Sequence, residues 1–334
     1  MAFNCLRRGW LAVPLFLVTL FSAALAVAGD DRRLVVFGDS LSDPGNAFVL
    51  TMNVEIPPFQ LIPAAPYARG GLHFSNGPTW VEQLAEELDA ERSAGPALRK
   101  PLVFSNYAVG GARARPEGAF DLGTQVNLFL RDVAGIAPGD ALYVVYLGGN
   151  DVRDALTALA TDPSGVTSSV ILQGALISVR DNLLRLQAAG ARRFLVPNAP
   201  DLSLVPAVRL QGPAAQGAAR WLAGGYNANL ALLLSGLETA TGMSITQLDV
   251  FALLNEVVAA PAGFGLRNVE EPCIIPGVTV RPYCVKPDRY LFWDGIHPTR
   301  AGHGIIAARA VDVLGLRKER RHTARAEFRD AGHD

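Results

Sequence analysis

Two short stretches near opposite ends of the chain carry the residue types for nucleophilic catalysis by an oxygen. The first is Gly38-Asp39-Ser40-Leu41, in which a hydroxyl follows an abrupt turn. The second is Asp294-Gly295-Ile296-His297, which sets a carboxylate three residues before an imidazole. A free hydroxyl is a poor nucleophile and needs a base within hydrogen-bond reach. A carboxylate on the same turn as a histidine can bond Nδ1, fix the tautomer and leave Nε2 to face a serine. Ser40 is therefore the candidate nucleophile, His297 the candidate base and Asp294 its orienting group. Each also has a plainer reading: Ser40 as a helix cap, Asp294 as a turn aspartate and His297 as a chance histidine before proline. The aromatic pair Phe292-Trp293 just upstream favours a turn anchored by packing, hence a positioned pair. The chain has five histidines. His322 and His333 lie in a charged tail, His73 falls in a proline-rich loop that could border a site, and His303 sits inside the last predicted helix.

Two more blocks lie between these ends: Asn106-Tyr107-Ala108-Val109-Gly110-Gly111-Ala112 and Gly148-Gly149-Asn150-Asp151. Together with the Gly-Asp-Ser-Leu stretch and Asp294-Gly295-Ile296-His297-Pro298-Thr299, in that order, they resemble the signature blocks of the GDSL, or SGNH, family of serine esterases and lipases. Phe74-Ser75-Asn76-Gly77-Pro78-Thr79-Trp80 is similar to a stretch in secreted lipolytic members, where an arginine commonly precedes the phenylalanine; here that residue is His73. The resemblance spans Leu34 to about Gly315. It implies ester hydrolysis through an acyl-serine intermediate, a small-molecule or lipid ester as substrate, passing contact with a lipid surface, and no cofactor or metal.

An oxyanion needs its own donors. The expected set is the backbone N–H of Ser40, the side-chain amide of Asn150 and a backbone N–H from Gly111, with Gly110 as the alternative. Taken alone, the glycines could form only a turn and Asn150 could cap a helix starting near Asp151. All three follow predicted strands at the edge where Ser40 sits. Asp39, Asp43 and Asn46 read as residues that fix the turn through side-chain hydrogen bonds, and Asp151 as a cap. Two rivals keep the same fold: an acyltransferase whose acyl-serine is intercepted by an alcohol, and an inactive binding protein. The second is disfavoured because nucleophile, base, orienting group and oxyanion donors are all present. There is no G-x-S-x-G elbow, P-loop, G-x-G-x-x-G turn or H-E-x-x-H helix.

These residues must be placed by the elements around them. Leu34–Gly38 is a short apolar run with β-branched residues, hence a buried strand whose carboxyl end delivers Ser40. Residues 47–77 are rich in proline and glycine and read as a long loop able to shape a site. Helices are predicted over 78–91, 122–133, 166–189, 216–241 and 299–314, and strands over 101–108, 141–147, 194–197 and 245–250. Strands alternating with helices imply a parallel sheet covered on both faces. The expectation is one three-layer α/β/α domain over 29–316, with five parallel strands in flavodoxin-like order, which is also the fold that the resemblance implies.

Composition agrees with a large apolar core: 50% of residues are hydrophobic and 18% charged. A net charge of −1 gives no reason to expect nucleic acid. Residues 1–28 read as a cleaved secretory signal: Arg7-Arg8, then the apolar run from Leu11, then small residues ending at Ala28. A membrane anchor is the other reading, weakened by Pro14, Thr19 and Ser22. No later segment is apolar enough to span a bilayer. The chain is therefore expected to be secreted or periplasmic. Cys5 leaves with the signal, so Cys273 and Cys284 remain as an even pair in an oxidising compartment. They are expected to close a disulfide loop, the alternative being two reduced thiols. Their spacing suits no zinc site. The tail 317–334 is charged and without periodicity.

Overall fold

A computed structural model describes residues 33–50, 72–274 and 284–316. The expected signal segment, residues 51–71 of the long loop, residues 275–283 of the cysteine loop and the charged tail lie outside the described residues. The apolar runs form a parallel sheet of β1 (Leu34–Gly38), β2 (Leu142–Tyr146), β3 (Arg193–Pro197) and β4 (Ser244–Leu248), in that spatial order. β1 and β2 are buried along their whole length, as expected of strands covered on both faces. Gly38 is level with Tyr146, so the turns that follow, at Ser40 and at Asn150, leave the sheet at one edge. Ligands of open α/β sheets bind beyond that carboxyl edge.

The helices are α1 (Asn46–Leu50), α2 (Trp80–Glu87), α3 (Leu122–Asp132), α4 (Gly149–Ala158), α5 (Val166–Ala189), α6 (Pro206–Arg209), α7 (Pro213–Thr241), α8 (Val250–Ala259) and α9 (Arg300–Val313). α3, α4, α5 and α7 pack on one another, and α2 packs on α9. The sheet flanked by helices is the expected three-layer α/β/α arrangement. A second small parallel pair, β5 (Asn268–Pro272) and β6 (Tyr290–Phe292), leads into the Asp294 turn. Neither this pair nor α8 is anticipated by the sequence reading, which ran straight from the last strand into the cysteine loop.

The five-stranded sheet requires correction, because its second strand is not a strand. Residues 105–109 do run parallel to β1: Val36 N–H donates to Ser105 O, Tyr107 N–H to Val36 O and Val109 N–H to Gly38 O. Only the Val36–Asn106 bridge forms. The next rung would use the Gly38 N–H, but that group donates to Gln125 Oε1 at 2.9 Å, and Gln125 Nε2 donates back to Gly38 O at 2.8 Å. A buried glutamine from α3 has replaced one rung of the ladder. With this segment beside β1, the sheet keeps the flavodoxin-like order.

Candidate active site

Ser40 stands in a turn that Asp39 ties down. Leu41 N–H donates to Asp39 Oδ1 at 3.0 Å and Ser42 N–H to the Asp39 carbonyl at 3.0 Å. Behind it, Trp80 Nε1 donates to Ser42 Oγ at 3.0 Å. A side chain on Gly38 would meet Ser42 Cβ at 2.9 Å, so only glycine lets the turn fold back on β1.

The histidine arrives on a turn wound around its own aspartate. Asp294 Oδ1 accepts the N–H groups of Ile296 and His297, each at 2.7 Å, and Oδ2 lies 2.7 Å from His297 Nδ1. His297 Nε2 lies 2.8 Å from Ser40 Oγ. All three side chains are buried. Burial would raise the Asp294 carboxyl, but the charge and hydrogen bonds of His297 and the N–H of Ile296 outweigh it and hold it below the ordinary value. An ionised carboxylate at Nδ1 fixes the tautomer in which Nε2 accepts the serine proton.

The Phe74–Trp80 stretch braces this turn. Ser75 Oγ donates to Pro298 O at 2.8 Å, Arg300 N–H donates to Asn76 Oδ1 at 2.7 Å, and the Phe74 ring packs 5.2 Å from the imidazole. His73 turns elsewhere: its Nε2 lies 2.9 Å from a Glu82 carboxylate oxygen. His303 is buried, and burial, with the charges of His297 and His73, pushes its imidazole down to about 3. It stays neutral at ordinary pH.

The two glycines divide their work. Gly110 N–H donates to Asp43 Oδ2 at 2.8 Å, and Asp43 also accepts from Gly45, Asn46 and Ala47. Burial nevertheless pushes the Asp43 carboxyl up to about 6. Gly111 has φ +83°, a conformation that favours glycine. Its carbonyl accepts from Arg113 Nη1 at 3.1 Å. Arg113 and the buried Arg115 share Asp154, and Arg115 also pairs with Asp151 at 2.9 Å. Asp151 is thus held by Arg115 and by Ala114 N–H and is not the cap of α4, which is Gly148. Asn150, in the first turn of α4, donates Nδ2 to Ala112 O at 2.8 Å and lies 3.5 Å from Asp39 Oδ2.

The triad and oxyanion candidates named from the sequence therefore lie at one edge of the sheet: Ser40, His297 and Asp294 in a hydrogen-bonded relay, Gly110-Gly111 and Asn150 on the flanking turns, while His73 is not among them. Sequence reasoning missed Gln125, Arg113 and Arg115. Their signal was weak: one glutamine on an otherwise amphipathic helix, and two arginines just after a glycine pair. Cys273 and Cys284 are disulfide-bonded, with Cα atoms 4.9 Å apart. No group of residues that could hold a metal ion occurs among the described residues.

Residues 34–310 match the family model described as GDSL-like lipase/acylhydrolase. A GDSL esterase/lipase of Arabidopsis thaliana is 28% identical over 85% of this chain and 88% of its own length. A thermolabile hemolysin of Vibrio parahaemolyticus is 24% identical over 88% of this chain and 66% of its own. Among solved structures, an acetylxylan esterase of Geobacillus stearothermophilus aligns with TM-score 0.46 at 17% identity, over 86% of this chain and 95% of that one.

Proposed function

The chain belongs to the GDSL-like lipase/acylhydrolase family and is an ester-hydrolysing enzyme, and from that premise we propose that Ser40, His297 and Asp294 carry the reaction. Ser40 Oγ attacks the ester carbonyl while His297 Nε2 takes its proton. Asp294 stabilises the imidazolium that forms. The oxyanion is received by the N–H groups of Ser40 and Gly111 and the amide of Asn150. Gly111 is preferred to Gly110 because Asp43 already holds the Gly110 N–H. His297 returns the proton to the leaving alcohol. It then deprotonates a water that attacks the acyl-serine, releasing the acid and restoring Ser40.

The observation that carries this reading is the relay itself. Contacts of 2.8 and 2.7 Å join Ser40 to His297, 257 positions apart, and His297 to Asp294. Ser40→Ala and His297→Ala should each lower ester hydrolysis by several orders of magnitude with unchanged circular dichroism. The double variant should be little worse, because the residues act as a unit. Near-normal turnover by purified Ser40→Ala would overturn the assignment.

The same reading extends to location and substrate. The charged, apolar and small-residue succession over 1–28 supports export, and the Cys273–Cys284 bond suits an oxidising compartment. No helix among the described residues is long and apolar enough to cross a membrane. A lipid ester, met at a surface, is a substrate of the proposed kind.

A further inference from the structure

A cavity of about 170 Å³ opens beside Ser40, Asn150 and His297. Its walls are mainly aliphatic, with Leu156 of α4, Val208 of α6, Leu253 and Val257 of α8, and Ile305 and Ile306 of α9, while Thr157 and Gln211 add two polar side chains. It lies between the helix that bears Asn150 and the helix that follows His297, and Arg153 stands among its lining residues one turn beyond Asn150. Apolar surface facing water is costly, and an aliphatic occupant is favoured in proportion to the area it buries.

We propose that this cavity takes the acyl chain of the substrate and that the enzyme prefers unbranched aliphatic acyl groups of about six to eight carbons; this rests on the reading of Ser40 as nucleophile. Two arguments select the acyl group over the alcohol. The acyl group stays bonded to Ser40 through both half-reactions, whereas the alcohol must leave and be replaced by water, which an aliphatic pocket does not favour. The walls also offer methylene surface and few polar partners, so a hydroxylated alcohol such as a sugar would lose hydrogen bonds on entering. The length follows from size: an apolar protein cavity of about 150 Å³ accommodates a benzene ring.

The test is a series of p-nitrophenyl esters from acetyl to dodecanoyl, in which the leaving group is constant. Each methylene from butanoyl to octanoyl should raise kcat/KM about fourfold, and further carbons should add little. Alkyl acetates from ethyl to octyl should show no such climb. Leu156→Trp and Leu254→Trp, the latter at a further lining residue of α8, should each lower the ratio of octanoyl to acetyl turnover at least tenfold; the ratio is internal to each variant, so partial misfolding does not blur it. Octanoate should also bind at least tenfold more tightly than butanoate by calorimetry, a measure independent of turnover. An acetyl optimum, a climb in the alkyl acetate series or an unchanged ratio in both variants would overturn the proposal while leaving ester hydrolysis intact. Activity surviving in Ser40→Ala would instead overturn the reading of the site, with the calorimetry still deciding what the cavity binds.

Discussion

Asp39 adjoins Ser40 in sequence and is buried in the wall of the proposed active site. Its burial is the largest influence on its carboxyl, pushing it up to about 6 against the N–H of Leu41 and the charge of His297. The consequence is a stability cost above about pH 6. Between about pH 4 and pH 6 the folded chain holds a proton on Asp39 that the unfolded chain releases, so stability increases as pH falls through that window. Above it, the ionised, buried carboxylate costs about 3 kcal/mol at most. Asp39→Asn keeps an oxygen for the Leu41 N–H and cannot ionise. It should therefore exceed the wild type in urea stability at pH 8 by up to about 3 kcal/mol, with the gap nearly closed at pH 4. A gap of equal size at both pH values would show that the cost is not one of charge. Keeping an aspartate there, at the expense of stability, is the pattern of an active site.

The turns that carry the site depend on contacts between elements. A methyl group on Gly110 would lie 2.0 Å from a Phe74 ring carbon, and that ring packs on the His297 imidazole. Gly110→Ala should displace the ring, cost about 1–3 kcal/mol of stability and lower kcat at least tenfold. Adding Phe74→Leu should restore part of both, as expected for residues in contact. Failure of the second change to restore either would separate Gly110 from the histidine. Such couplings mark what the sequence could and could not disclose. Strand β1 and helix α5 were legible to the residue, because apolar runs bounded by glycine are local signals. The Asp294–His297 turn was legible for the same reason, its bonds spanning three residues. The missing rung beside β1 was not, since it depends on Gln125 reaching Gly38 across 87 positions. The glycine block alone already favours Gly111 over Gly110, but the contact that supports the preference, Gly110 N–H on Asp43 67 positions earlier, was not legible. β5 and β6 escaped notice because their pairing joins segments on either side of the cysteine loop, and neither is a long apolar run.

At the scale of the whole molecule, the relay joins the first strand to the last turn, so its geometry rests on how the chain end is fastened to the sheet. The Cys273–Cys284 bond lies beside that fastening. Cys273 N–H donates to Phe292 O at 3.0 Å and Ile274 N–H to Trp293 O at 2.8 Å, which runs the strand leading to Asp294 alongside the disulfide. Cys273, Ile274 and Trp293 form a small buried cluster of their own. The bond closes a loop with a sequence separation of 11, for which the chain-entropy model gives roughly 3 kcal/mol of stabilisation. Most of that acts on the unfolded chain, while the backbone bonds that align Asp294 do not need the sulfurs. Replacing both cysteines by serine should therefore lower Tm by roughly 5–10 °C and leave kcat on an acetyl ester within about twofold at temperatures well below the transition. A variant with unchanged Tm would mean that loop closure contributes nothing. A variant as stable as expected but with kcat lowered tenfold would mean that the disulfide holds the Asp294 turn in place directly, making it part of the machinery that positions His297.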